Sequence, residues 1–218
     1  MLKITQIFGR KWNKEEVGNL VCYHQMMDYR TKTNLILPFK GTWIVRNGGR
    51  LNSTNNHFRE DGPQNQLFAY DFRNEHIGNG EKLEDYDVFG KDVLAPADGT
   101  ISQVINGSID LLPGEKDRSV GVGNAIIIDH HNGEYSLLCH FKQNSIKVKV
   151  GDNVKQGGVI GQCGNTGNTS EPHIHFNLQD NALMHKAKAL PAQFSKILVN
   201  GELKTNYEPI RGEKVSNT

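Results

Sequence analysis

Short runs of alternating apolar and polar residues, separated by glycine-containing turns, recur along most of this chain. The 218 residues include 23 glycines, and few apolar patterns keep a helical period over the length of a helix. Residues 93–104 are typical, because two alternating runs flank Asp98-Gly99, a dipeptide favoured in tight hairpin turns. This succession predicts a mainly β fold, an antiparallel β-sandwich or folded antiparallel sheets, with short N-terminal and C-terminal additions.

The strand pattern also predicts how the chain is divided. We expect three parts: an N-terminal extension packed on the domain at residues 1–40, one domain at residues 41–180, and a C-terminal extension at residues 181–218. A short helix is expected around residues 14–28. Polar stretches at 73–92 and 111–122 interrupt the strands and are expected to form loops.

The charge balance and the apolar content exclude several classes of partner. There are 25 lysines and arginines against 24 aspartates and glutamates, without a basic stripe, so we expect no nucleic-acid partner. No run approaches the roughly 20 apolar residues of a transmembrane helix, and the first twenty residues lack the apolar stretch of a secretory signal. We expect a monomer, cytoplasmic as the sequence stands or extracellular by a non-classical or lysis route.

Two histidines separated by one residue are the first sign of chemistry. His173 and His175 flank Ile174, directly after a loop rich in glycine and asparagine that ends at Pro172. In a strand, side chains two apart point to the same face, so these imidazoles emerge side by side, roughly 7 Å apart. The pair suits one metal ligand beside one general acid or base. An isolated pair on an edge strand would instead be two solvated surface histidines. The other motifs of the chain decide between these two interpretations.

Five further motifs occur in a fixed order with this pair. They are Asn56-His57, Ala69-Tyr70-Asp71-Phe72, Ala95-Pro96-Ala97-Asp98-Gly99, Leu138-Cys139-His140-Phe141 and Val148-Lys149-Val150-Gly151-Asp152-Asn153-Val154, and Pro172-His173-Ile174-His175-Phe176 follows them. From about residue 41 to residue 178 the ordered set resembles the lysostaphin-type zinc metallopeptidases, a family of glycyl-glycine and related peptidoglycan endopeptidases. The resemblance implies an antiparallel fold of the duplicated hybrid motif type.

The resemblance also implies a role for each of five residues. His57, Asp71 and His175 would be the ligands of Zn²⁺, His140 and His173 would be catalytic, and no organic cofactor is expected. The chemistry agrees, because two imidazoles and one carboxylate leave the fourth tetrahedral position of zinc open for water. The two remaining histidines can transfer protons and stabilise an oxyanion.

The first two ligands depart from the family's spacing. The family places this His and Asp four residues apart, whereas His57 and Asp71 are separated by fourteen. A literal His-x-x-x-Asp pattern ends at Asp61, but Asp61 begins an Asp-Gly-Pro turn, where an aspartate normally bonds its own backbone. Asp71 lies in an alternating apolar strand, where a carboxylate needs a partner. The pattern therefore favours Asp71.

Three functions remain open from the sequence. The leading hypothesis is a zinc metalloendopeptidase that hydrolyses peptide bonds, in peptidoglycan stem or cross-bridge peptides. The alternative is a non-catalytic, metal-binding regulator of cell-wall hydrolases. A third is a biotinyl- or lipoyl-type carrier, since residues 150–157 resemble the turn region of those domains. Of the other histidines, His130 and His131 lie at a hairpin turn and are expected to be solvated, and only His76 is close to Asp71 in sequence.

Overall fold

A computed structural model describes residues 28–59 and 64–218, whose regular secondary structure is almost entirely β-strand. The strands are β1 (Trp43–Asn47), β2 (Tyr70–Arg73), β3 (Asp92–Leu94), β4 (Gly99–Ile105), β5 (Ala125–Asp129), β6 (Tyr135–Cys139), β7 (Asn153–Val154), β8 (Val159–Gln162), β9 (Ile174–Gln179), β10 (Ala189–Leu190), β11 (Phe194–Val199), β12 (Glu202–Tyr207) and β13 (Lys214–Asn217). Among the described residues, the helical structure is one 3-10 turn, Leu83–Asp85. The helix expected around residues 14–28 and the rejected ligand Asp61 lie outside the described residues.

Within the two described ranges, the paired strands are antiparallel and form two sheets. The large sheet has the order β12-β11-β13-β1-β2-β9-β6-β5-β4-β7, with β10 beside β9, and the small sheet pairs β3 with β8. The predicted mainly β, antiparallel fold class is confirmed. The division into residues 1–40, 41–180 and 181–218 stays a prediction.

Apolar side chains from both sheets meet in one core. The large sheet contributes Trp43, Phe72 and Phe176, and the small sheet contributes Val93 and Ile160, all at most 1% exposed. Each such side chain stabilises the fold by about 1.5–3 kcal/mol through its burial. Within the described residues, no helix is long and apolar enough to span a membrane.

Strand β9 divides this core from the face that carries the polar motifs. Ile174, Phe176 and Leu178 belong to the core, so the alternation of a strand turns His175 to the opposite face. β9 lies between β2 and β6, and His175 is directly opposite Asp71 on one side and Cys139 on the other. The strand that carries His175 therefore lies in the middle of the large sheet and not at its edge, and His173 directly precedes it.

Histidine 130 differs from its expectation. It lies at the hairpin between β5 and β6, yet it is only 9% exposed. Its Nδ1 donates to the Asp98 carbonyl at 2.8 Å, and its Nε2 lies 2.7 Å from Ser136 Oγ. The expected solvation of His130 is therefore wrong, because the turn folds the ring inward onto two polar partners. His131 is 64% exposed in its side chain, as expected.

Candidate metal centre and active site

Three side chains converge on the polar face of the sheet. Asp71 Oδ2 lies 2.8 Å from His57 Nε2, and Asp71 Oδ1 lies 2.9 Å from His175 Nδ1. One nitrogen or oxygen atom from each residue lies within 4.8 Å of the other two. In the part of the chain that the structure describes, this is the one group of three or more His, Cys, Asp or Glu residues with such spacing.

The donor set fits a zinc ion. Tetrahedral zinc with ligand distances near 2.1 Å separates neighbouring donor atoms by about 3.4 Å. The two histidine nitrogens lie 2.8 and 2.9 Å from different oxygens of the Asp71 carboxylate, and one ligand atom from each of the three residues lies within 4.8 Å of the others, so modest side-chain shifts bring them to that spacing. Asp71 and His175 are buried at 7% and 5% exposure, where a carboxylate needs compensating charge. Burial opposes ionisation of Asp71, but the charges of His57 and His173 outweigh it and lower its pKa.

Sheet register and one asparagine bring the three residues together. Asp71 and His175 are cross-strand partners of β2 and β9, which places their Cβ atoms about 5 Å apart. His57 lies in an irregular segment that Asn55 fixes. The fully buried Asn55 donates from Nδ2 to the Gly49 and Ala69 carbonyls and accepts the His57 N–H at 3.0 Å. Sequence reasoning missed Asn55, although its position two residues before His57 was visible.

A β-bulge places a second asparagine beside the carboxylate. Val45 pairs with Phe72 and Asn47 pairs with Asp71, so β1 advances two residues where β2 advances one. Val45 faces the core, and without the extra residue Asn47 would face it too. The bulge instead turns Asn47 to the polar face, where its Nδ2 donates to Asp71 Oδ2 at 2.6 Å. Sequence alternation carried no signal for this contact.

His140 reaches the same face through an unusual backbone conformation. Strand β6 ends at Cys139, which is directly opposite His175, so in a continued strand His140 would face the core. Its φ of 67° lies in the left-handed region and turns the ring back toward the site. The ring centroid lies 4.8 Å from that of His173 and 6.0 Å from that of His175. Cys139 itself is buried, which raises the pKa of its thiol and makes it a poor nucleophile.

Both predicted catalytic histidines keep one ring nitrogen for the site. His140 Nδ1 donates to the Thr166 carbonyl at 2.8 Å, and His173 Nδ1 donates to the Glu171 carbonyl at 2.9 Å. A carbonyl only accepts, so in each neutral ring Nε2 is the unprotonated nitrogen. His173 Nε2 lies 3.5 Å from Asp71 Oδ1. Burial lowers the pKa of His140, whereas for His173 burial is outweighed by the Asp71 charge and the pKa is raised.

His76 lies beside this centre without joining it. It forms an isolated antiparallel bridge with Tyr86 and lines a pocket of about 240 Å³ together with Arg73, Glu75 and Glu171. Arg73 Nη1 donates to Glu171 Oε1 at 2.6 Å, two residues before His173. The pocket therefore adjoins the candidate site, at the start of the loop predicted over residues 73–92.

Comparison with known proteins gives the same assignment as the motifs. Residues 81–187 match the model of Peptidase family M23. The match includes His140, His173 and His175 and begins after His57 and Asp71 in the chain, so the latter two depend on the geometry described above.

Several curated relatives match part of the chain in sequence. A DD-carboxypeptidase/endopeptidase Mpg of Neisseria meningitidis serogroup B is 36% identical over 92 residues, covering 42% of this chain and 18% of the relative. The glycyl-glycine endopeptidase ALE-1 of Staphylococcus capitis is 31% identical over 96 residues, covering 44% of this chain and 26% of the relative. The alignments thus span about a fifth to a quarter of these relatives.

A solved structure with a similar course of the chain is the catalytic domain of the prophage-encoded M23 protein EnpA from Enterococcus faecalis. It has a TM-score of 0.46 and 19% identity and covers 71% of this chain and 94% of that domain. Because this TM-score is below 0.5, the assignment depends on the sequence matches and the arrangement of the site. On these grounds the chain carries a domain of peptidase family M23, the zinc-dependent family of lysostaphin.

Proposed function

We propose that this protein is a zinc metalloendopeptidase in which His57, Asp71 and His175 hold the ion and His140 and His173 are catalytic. The observation that carries the proposal is the convergence of these five side chains, from four separate parts of the chain, on one face of the sheet. A bound zinc ion would supply an acidified water and polarise the carbonyl of the scissile bond.

The two histidines divide the proton transfers between them. His140 begins neutral, because burial lowers its pKa, and its Nε2 accepts a proton from the attacking water. The Asp71 charge raises the pKa of His173, which favours the protonated ring, and its Nε2 donates to the leaving amine. The Thr166 and Glu171 carbonyls hold the two rings in place throughout. This assignment predicts that H140A and H173A retain zinc and lose activity.

The proposed substrates are peptides of peptidoglycan, in stems or cross-bridges. The support is the family match together with the endopeptidase names of the Neisseria and Staphylococcus relatives. We further propose that the protein is a monomer, since the three residues of the candidate metal site need no partner residue from a second copy.

Digestion of purified peptidoglycan tests the proposal. The full chain is incubated with it, with and without a chelator, and released fragments are identified by mass spectrometry. We expect new peptide termini with the zinc-loaded protein and none after zinc removal. H175A and D71A should lose bound zinc and activity together. Turnover by metal-free protein would contradict the proposal, and zinc binding without cleavage would favour the non-catalytic regulator.

A further inference from the structure

We propose that Arg211 is a positioning residue for the metal centre, acting through Asn47 and Asn56. The inference rests on the proposed function, since it concerns the same centre. Arg211 precedes β13 in the C-terminal part of the chain, outside the residues that match the family model. It lies 164 positions from Asn47 and 155 from Asn56, so only the folded chain brings these groups together.

The guanidinium of Arg211 donates to four oxygen atoms of the segment that leads to the site. Its Nη2 lies 2.9 Å from Asn47 Oδ1 and 2.6 Å from Asn56 Oδ1, and its Nη1 lies 3.3 Å from the Ser53 carbonyl. Its Nε donates to the Arg46 carbonyl at 3.0 Å. A planar group with five donors in a fixed fork can hold such a set, whereas the ammonium of a lysine cannot reproduce it.

Arg211 helps to fix which end of the Asn47 amide faces the carboxylate. Arginine has donors and no acceptor, so only the amide oxygen of Asn47 can face it. The Asn56 N–H also donates to that oxygen, at 3.1 Å. The amide nitrogen must then point to Asp71, where it donates at 2.6 Å. Without Arg211 only the Asn56 N–H holds that oxygen, so the amide that donates to Asp71 is less firmly positioned.

The same guanidinium fixes the backbone on both sides of the centre. The carbonyl that accepts from Nε belongs to Arg46, the extra residue of the β1 bulge, and the neighbouring Gly212 N–H donates to Val45 O at 2.9 Å. The contacts with Ser53 and Asn56 fix the irregular segment that ends at His57. The Arg211 guanidinium therefore connects the bulge that orients Asp71 with the segment that contains His57.

Zinc affinity of the full-length protein tests this inference without depending on activity. We expect R211A to weaken zinc binding about 10- to 100-fold, the range for loss of a group that orients a metal ligand. N47A should weaken it similarly. The double variant R211A/N47A should bind zinc more weakly than wild type by much less than the product of the two single effects, because one contact depends on the other. R211K should restore little, because it lacks the fork.

Affinity is measured by competition with a chromophoric chelator, and circular dichroism of the metal-free form reports folding. R46A is the matched control: it removes an exposed arginine side chain from the bulge but keeps the carbonyl that Arg211 bonds, and should match wild type. Turnover measured alongside should show a lower kcat at unchanged KM when zinc is limiting. If R211A fails to fold, R211K and N56A carry the test.

Two results would separate this inference from the proposed function. If wild type binds zinc and cleaves peptide while folded R211A and R211K bind zinc within twofold of wild type, the positioning role is refuted and the peptidase assignment stands. If wild type binds no zinc, both are refuted. Affinities of R211A and N47A that multiply in the double variant would also overturn the role, because they would act independently.

Discussion

Replacing Gly123 by alanine should disturb both the fold and the orientation of His140. Gly123 has a φ of 61°, and a Cβ built on it would lie 2.2 Å from the Thr166 carbonyl oxygen and 2.5 Å from Thr166 Oγ1. That carbonyl oxygen is the acceptor for His140 Nδ1. The alanine must therefore displace the group that holds the His140 ring.

The expected loss of stability has two parts. The left-handed conformation costs an alanine about 1–2 kcal/mol, and relief of the clash with backbone adds about 1–3 kcal/mol. Gly121 provides a matched control, because its φ is 49° and a Cβ there meets nothing within 4 Å. G121A should lose only the first part, so the difference between the two variants isolates the clash.

Urea unfolding of metal-free protein measures the free energy of unfolding, and fragment release gives kcat. We expect G123A to be about 1–3 kcal/mol less stable than G121A and to have a lower kcat with zinc still bound. Equal stability of the two variants, with kcat unchanged in both, would refute the link from Gly123 through Thr166 to His140.

Three further predictions follow from single contacts. H140A should keep stoichiometric zinc while kcat falls about 10²- to 10⁴-fold, measured by metal analysis and fragment release; loss of the metal would instead make it a ligand. Burial would raise the pKa of Glu134, but hydrogen bonds from Lys32 and Thr33 outweigh the effect of burial and lower the pKa. The free energy of unfolding of wild type should exceed that of E134Q by its full amount above the ordinary pKa of 4.5, and the difference should vanish as the pH falls through the lowered pKa of the folded state. A difference that does not change with pH in urea unfolding would contradict this. W43A should lose about 3–5 kcal/mol in urea unfolding, and a loss below 1 kcal/mol would refute its place in the core.

Strand alternation explains which parts of the site were readable in the sequence. A period of two assigns His175 to the face opposite Ile174 and Phe176, and it gives Asp71 a face distinct from that of Phe72. The antiparallel fold class follows from that pattern, whereas the closeness of Asp71 and His175 is what the family resemblance implies. The sequence favours Asp71 over Asp61 despite the fourteen-residue separation from His57. The reason is that a carboxylate in an apolar strand needs a partner, whereas an aspartate in a turn can bond its own backbone.

The features of the site that the sequence did not predict are those where the backbone departs from the two-residue alternation of a strand. The bulge in β1 turns Asn47 to the polar face, and the left-handed conformation of His140 does the same for its ring, whereas regular strand alternation would place both side chains in the core. Neither feature has a local sequence signal. A bulge in particular is defined by the residues of the partner strand. Arg211 was hidden for a different reason: its contacts join positions far apart in the chain, and only the register of β13 beside β1 brings them together. His130 was misjudged because a turn position was equated with exposure.

Anomalous scattering at the zinc absorption edge, from crystals of the purified protein, tests the central claim most directly. We expect one strong peak bonded to His57 Nε2, to a carboxylate oxygen of Asp71 and to His175 Nδ1, at about 2.0–2.2 Å from each. A zinc peak held by other residues, or zinc-loaded crystals with no peak among these three, would contradict the account.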